Sequence, residues 1–131
     1  MNRAVLCLLL ISACHERAPT VPSVPADKPF TLAPGESALL AGTLMRLEVL
    51  RVTGDSRCPA DAACIQGGDA IVHIAVHDNS VAEYQLHTGD ASRSSVRHGA
   101  VRITLVNLQP YPFSNRTIRP DDYRATFAVS P

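Results

Sequence analysis

From Phe30 to the end of the chain, apolar residues recur at every second position over short runs, the spacing that puts them on one face of a β-strand. Met45, Leu47 and Val49 alternate with Arg46 and Glu48, after which Leu50 and Val52 become the apolar pair with Arg51 between them. The phase flips once within Thr43–Thr53, as expected of a β-bulge near Val49-Leu50 or of a strand crossing between packing layers. Val72, Ile74 and Val76 alternate with His73, Ala75 and His77, and Ala82, Tyr84 and Leu86 alternate with Glu83, Gln85 and His87. Asp78-Asn79-Ser80 between them is turn-forming, so the two runs read as a hairpin. Val101, Ile103 and Leu105 make a further strand ahead of Pro110, and Tyr123, Ala125, Phe127 and Val129 make the last. Phe30–Leu32 and Glu36–Leu40 are shorter candidates. No window in this region has a sustained helical period. The expected architecture is all-β, a single antiparallel β-sandwich of about seven strands over residues 30–131. A small closed β-barrel is the alternative, because alternation alone does not separate the two.

The N-terminal region has a different pattern. Arg3 precedes an apolar run, Ala4–Ile11, that ends at Ser12-Ala13-Cys14. As a helix this run rises only about 12 Å, against a hydrocarbon core of roughly 30 Å, so it reads as a secretory signal over residues 1–13 and not as a membrane span. Leu10-Ile11-Ser12-Ala13-Cys14 resembles the lipobox of bacterial lipoproteins. The resemblance implies cleavage before Cys14, which would carry a thioether-linked diacylglycerol and an N-acyl group. At about 0.8 kcal/mol per buried CH₂, two or three such chains anchor a protein durably. Because His15 follows the cysteine where an aspartate usually signals inner-membrane retention, the resemblance favours the outer membrane, with the domain facing the periplasm. An ordinary secreted protein with Cys14 as a free thiol is the alternative. Residues 14–29 hold Pro19, Pro22, Pro25 and Pro29 among small and polar residues, which reads as an extended tether.

Lys plus Arg and Asp plus Glu number 12 each and are interspersed. Without a basic run, nucleic-acid binding is not expected. Of the four cysteines, Cys7 leaves with the signal and Cys14 takes lipid, so Cys58 and Cys64 face only each other in an oxidising compartment and a disulfide is the default. Their spacing is too wide for a redox pair, and two sulfurs without a nearby histidine do not make a structural zinc site.

Around these cysteines stands Asp55-Ser56-Arg57-Cys58-Pro59, followed by Gly67-Gly68, which would permit unusual dihedrals ahead of the next strand. Arg57 has two readings. Its guanidinium could project from a stapled loop to bind a carboxylate or phosphate of a partner, or it could pair internally with Asp55, Asp61 or Asp69. The segment resembles a family of uncharacterised small bacterial lipoproteins with an Asp-Ser-Arg-Cys-Pro signature and a final strand opened by Asp-Tyr, here Asp122-Tyr123. Gln66-Gly67-Gly68 departs from that family's Trp-Ala-Gly. The resemblance implies a shared domain and no activity.

A second loop, Tyr111-Pro112-Phe113-Ser114-Asn115-Arg116, carries two aromatics that could anchor a protein partner or fold back to cap the core. The five histidines lack metal-ligand spacing: His73 and His77, on one strand face, stand about 13 Å apart. No nucleophile elbow, phosphate loop or zincin motif is present. The expected function is therefore non-enzymatic binding within the cell envelope, without cofactor, metal or catalytic residues. The membrane, through lipid on Cys14, and an envelope protein are the expected partners; Asp55, Arg57, Tyr111 and Phe113 are the candidate contacts. An inhibitor of an envelope hydrolase, lysozyme or protease, and a purely structural envelope protein are the rival readings.

Overall fold

A computed structural model describes residues 20–131; the expected signal peptide and Cys14 lie outside the described residues. The domain is all-β and consists of two sheets that pack as a sandwich without closing into a barrel. Its strands are β1 (Ser23–Val24), β2 (Phe30–Leu32), β3 (Ser37–Leu40), β4 (Arg46–Thr53), β5 (Ile71–His77), β6 (Val81–His87), β7 (Ser95–His98), β8 (Val101–Gln109) and β9 (Arg124–Ser130). One sheet has the order β1-β3-β4-β5-β6 and the other β2-β9-β8-β7.

Alternation places the core. Leu47 and Val49 of β4, Val72, Ile74 and Val76 of β5 and Leu86 of β6 face Ile103 and Leu105 of β8 and Ala125 and Phe127 of β9, all buried in one cluster. The phase flip in β4 is a register shift between Val49 and Arg51 opposite β5, so the expected bulge is present where the pattern changed. The β5–β6 hairpin is also present, its turn tied by Ser80 N donating to Asp78 Oδ1 at 2.9 Å. β5 is covered more fully than its alternation implies: His73 and Ala75, on the face opposite the core, are buried as well. A strand flanked on both sides loses its outer face to neighbouring side chains, and Thr53 Oγ1 lies 2.7 Å from His73 Nε2.

Two strands were not evident from the pattern. β7 has one apolar residue, Val96, and is held by pairing with β8 across Gly99-Ala100. Gly99 has φ +58° there, while among the described residues none other than glycine has positive φ, as a two-residue type II′ hairpin requires at its first position. β1 lies inside the segment read as tether. Ser23 and Val24 run parallel to Leu39 and Leu40 of β3, with Leu39 N donating to Pro22 O and Ala41 N to Val24 O, each at 2.9 Å. The described part of the proline-rich segment is thus docked on the sheet edge, because prolines at 22 and 25 leave the intervening backbone free to pair on one side.

Candidate functional site

The Asp-Ser-Arg-Cys-Pro segment follows directly from β4, where Gly54 at φ +59° turns the chain toward the other sheet. Arg57 points inward and is buried, with 8% of its surface exposed. Its Nε and Nη2 donate to the two oxygens of Asp55 at 2.8 and 2.7 Å, its Nη1 donates to Leu108 O at 2.7 Å, and Nη2 also donates to Pro110 O at 3.0 Å. Four of the five guanidinium hydrogens are therefore used inside the domain. Tyr123 Oη donates to Asp55 Oδ2 at 2.9 Å. Of the three aspartates that could pair with Arg57, Asp55 does so. Asp69 instead pairs with Ser56, accepting Ser56 N at 2.7 Å through its backbone carbonyl, and Asp61 accepts from Ser114. The outward-pointing reading of Arg57 does not match this geometry, since a planar fork meets one carboxylate and two carbonyls more completely than it could meet a ligand from solvent.

Burial by itself pushes the Asp55 carboxyl up, but hydrogen bonds from Arg57 and Tyr123 and the charge of Arg57 outweigh it and hold the group below the usual carboxylate value. Asp55 thus contributes stability that is complete above its unfolded value and is lost as pH falls through the depressed folded one. Tyr123 moves oppositely: burial, then the bond to Asp55 and its negative charge, push the phenol up to about 12. A raised value means the contribution is complete below the unfolded pKa near 10 and is lost as pH rises toward the folded one. Thermal melting is accordingly expected to fall between pH ~10 and ~12. Tyr123→Phe should flatten that alkaline limb and cost about 1.5–3 kcal/mol at neutral pH, the usual worth of a hydrogen bond to a charged group. An unchanged alkaline limb in Tyr123→Phe would detach the phenol from it.

Cys58 and Cys64 form the expected disulfide, with Cα atoms 6.0 Å apart. Closing so short a loop contributes about 2 kcal/mol in the chain-entropy model, and the paired Cys58→Ser, Cys64→Ser variant should lose about that much in urea denaturation. The stapled loop is locked to the aromatic loop: Ala60 N donates to Pro112 O at 2.9 Å, and Ser114 N and Oγ donate to Asp61 Oδ1 at 2.9 and 3.1 Å. The backbone N–H of Ser114 is the main reason the Asp61 carboxyl sits below its usual value. Tyr111 lays its ring over the Arg57 guanidinium, 5.4 Å from centroid to Cζ, and Arg116 covers Phe113 at 5.6 Å. Neither aromatic joins the core cluster. Both stay exposed, as does Ile65, which directly follows Cys64 of the staple.

Between the loops and β8 opens a cleft of about 250 Å³, lined among others by Arg57, His87, Thr88, Ser94, Asn107 and Tyr111. His87, buried like Arg57, donates from Nδ1 to Asp69 Oδ2 at 2.5 Å. Burial pushes Asp69 up, but the His87 bond and the Gly89 N–H bring it below the usual value. No serine or threonine hydroxyl among the described residues bonds to His87. Ser94 Oγ donates to Ala91 O and Thr88 Oγ1 to Asp69, so the contact between nucleophile and base that hydrolysis uses is not made here. His73, His77, His87 and His98 each hydrogen-bond a hydroxyl or carboxylate, and no group of three metal-ligating side chains is assembled among the described residues.

Asp55, Arg57, Tyr111 and Phe113 are thus brought to one end of the sandwich, but in two roles: the first two form a buried clamp, and the aromatics form the surface above it. The part missed in the sequence is the partnership of Arg57 with the β8–β9 connection and of Asp55 with Tyr123. The one signal for it was Asp-Tyr at positions 122–123, whose tyrosine reaches the signature's aspartate. No protein-family model, curated protein or solved structure matches the chain.

Proposed function

We propose that the protein is a lipid-anchored bacterial envelope lipoprotein, held by Cys14, that acts by binding an envelope component at the loop end of its β-domain and not by catalysis. One observation carries the reading: two loops locked to each other present Ile65, Tyr111 and Phe113, which are 105%, 47% and 40% exposed, on a base made rigid by the Arg57 clamp. Exposed apolar side chains that gather into one patch mark interaction sites, and preorganisation lowers the entropic cost of binding. The cleft beneath adds polar groups that could fix orientation.

The reading is tested by crosslinking in native bacterial membranes with the wild type and a Tyr111→Ala, Phe113→Ala pair, together with the mass of the N-terminal peptide. Acylated Cys14, and a crosslinked component lost in the variant while the melting temperature stays close to wild type, is the expected result. A component retained by the variant would move the site elsewhere, and an unmodified Cys14 would remove the anchor.

A further inference from the structure

We infer that the loop end rests on the same bilayer that holds the Cys14 lipid, with Ile65, Tyr111 and Phe113 in the membrane surface. The inference deepens the proposed function and depends on its reading of Cys14 as the lipidated residue; it names the bilayer as the component that this end meets.

The direction of the chain supplies the first argument. β1 runs parallel to β3, and β3 runs antiparallel to β4, with Ser37 opposite Glu48 and Leu39 opposite Arg46. The start of β1, the start of β3 and the end of β4 therefore point the same way. The end of β4 leads into the stapled loop, and the β8–β9 connection that carries Tyr111 and Phe113 lies at the same end, tied to that loop through Pro112 and Ser114. The described residues ahead of β1 thus lie on the side of the loops and not of the opposite turns at 41–44 and 78–80.

Covalent reach supplies the second. Thr20 lines the same surface depression as Glu36 and Ser37, and Ser37 stands opposite Glu48, about 17 Å short of the end of β4 at Thr53 at the rise of a strand. From Thr20 back to Cys14 the chain spans at most about 20 Å fully extended. A leash of at most that length holds Thr20 within about 20 Å of the inserted lipid, a distance comparable with the gap between Thr20 and the loop end, so the loop end can reach the bilayer surface.

Surface chemistry supplies the third. Ala60, Ala62 and Ala63 are exposed close to Ile65 in the chain, Arg116 covers Phe113, and the exposed Asp61 is hydrogen-bonded to Ser114. Small apolar residues, aromatics and an arginine suit the boundary between headgroups and acyl chains.

The chain contains no tryptophan, so an introduced indole reports its own surroundings. Acylated protein carrying Ile65→Trp, and separately Leu44→Trp at the opposite end, where Leu44 is 93% exposed, would be reconstituted into phosphatidylethanolamine and phosphatidylglycerol vesicles with brominated acyl chains. The Ile65→Trp emission is expected to shift to the blue and to be quenched, and the Leu44→Trp emission to remain that of an indole in water. Equal, unquenched emission from both variants, on a chain whose N-terminal mass shows acylated Cys14, would overturn the docking and leave the anchor standing. A bare Cys14 would overturn both.

Discussion

Arg57→Ala is expected to cost the domain about 3–5 kcal/mol, the range seen when one partner of a buried ion pair is removed. At roughly 4 °C per kcal/mol for a domain of this size, that is a fall in melting temperature of about 12 °C or more. The side chains of Arg57 and Asp55 are only 6% and 12% exposed, so truncation leaves the carboxylate with Tyr123 Oη and one weak contact from the Arg57 backbone N–H at 3.3 Å. It also strips the partner from the Leu108 and Pro110 carbonyls, which tie the β8–β9 connection to the first sheet. Arg57→Lys should recover only part of the loss, because a single ammonium cannot reach both carboxylate oxygens and both carbonyls. Urea denaturation with an unchanged slope is the check. A loss under about 1 kcal/mol, the range of exposed ion pairs, would place the guanidinium outside the architecture.

Gly68→Ala is expected to be the other severe change. A Cβ on Gly68 would stand 1.5 Å from Ser56 O and 2.3 Å from its carbonyl carbon, and one on Gly89 would stand 2.6 Å from Gly68 O. Three backbone segments meet here without room for a methyl group, and the nearest atoms belong to main chain that cannot rotate away. Overpacking a well-packed site costs typically 1–3 kcal/mol and sometimes more; a clash this deep, beside the Ser56–Asp69 pairing, is expected at or above the top of that range. Gly67→Ala is the internal control, since no heavy atom lies within 4 Å of its added Cβ, and it should leave stability nearly unchanged. If the two alanine variants melt together, the close approach is not part of the native packing.

This glycine pair also shows what could be read from sequence and what could not. Gly67-Gly68 suggested unusual dihedrals, yet neither residue has positive φ; what Gly68 supplies is space against Ser56, twelve positions earlier in the chain, which no local pattern encodes. The β4 bulge and the β5–β6 hairpin were legible because burial on one face fixes side-chain period and turn chemistry fixes register. β7 and β1 were not, because each is held by main-chain pairing with a neighbour and not by an apolar stripe of its own. The disulfide could be anticipated by counting cysteines. Arg57 could be singled out as unusual, but an arginine between Asp55 and a staple looks the same in sequence whether it faces out or in. The deciding partners, Leu108, Pro110 and Tyr123, arrive from β8 and the β8–β9 connection.

The assignment of Arg57 and Asp55 to architecture, which leaves recognition to the loops above them, is tested most directly by a double-mutant cycle in urea with Asp55→Asn, Arg57→Met and the pair together. Each single change strands a buried partner, whereas the double change removes both charges, so the double variant should be markedly less destabilised than the sum of the singles. A coupling of about 2 kcal/mol or more, within the range for residues sharing one hydrogen-bond and salt-bridge network, is the predicted result. A coupling near zero would mean that the two side chains act independently, and would contradict the clamp.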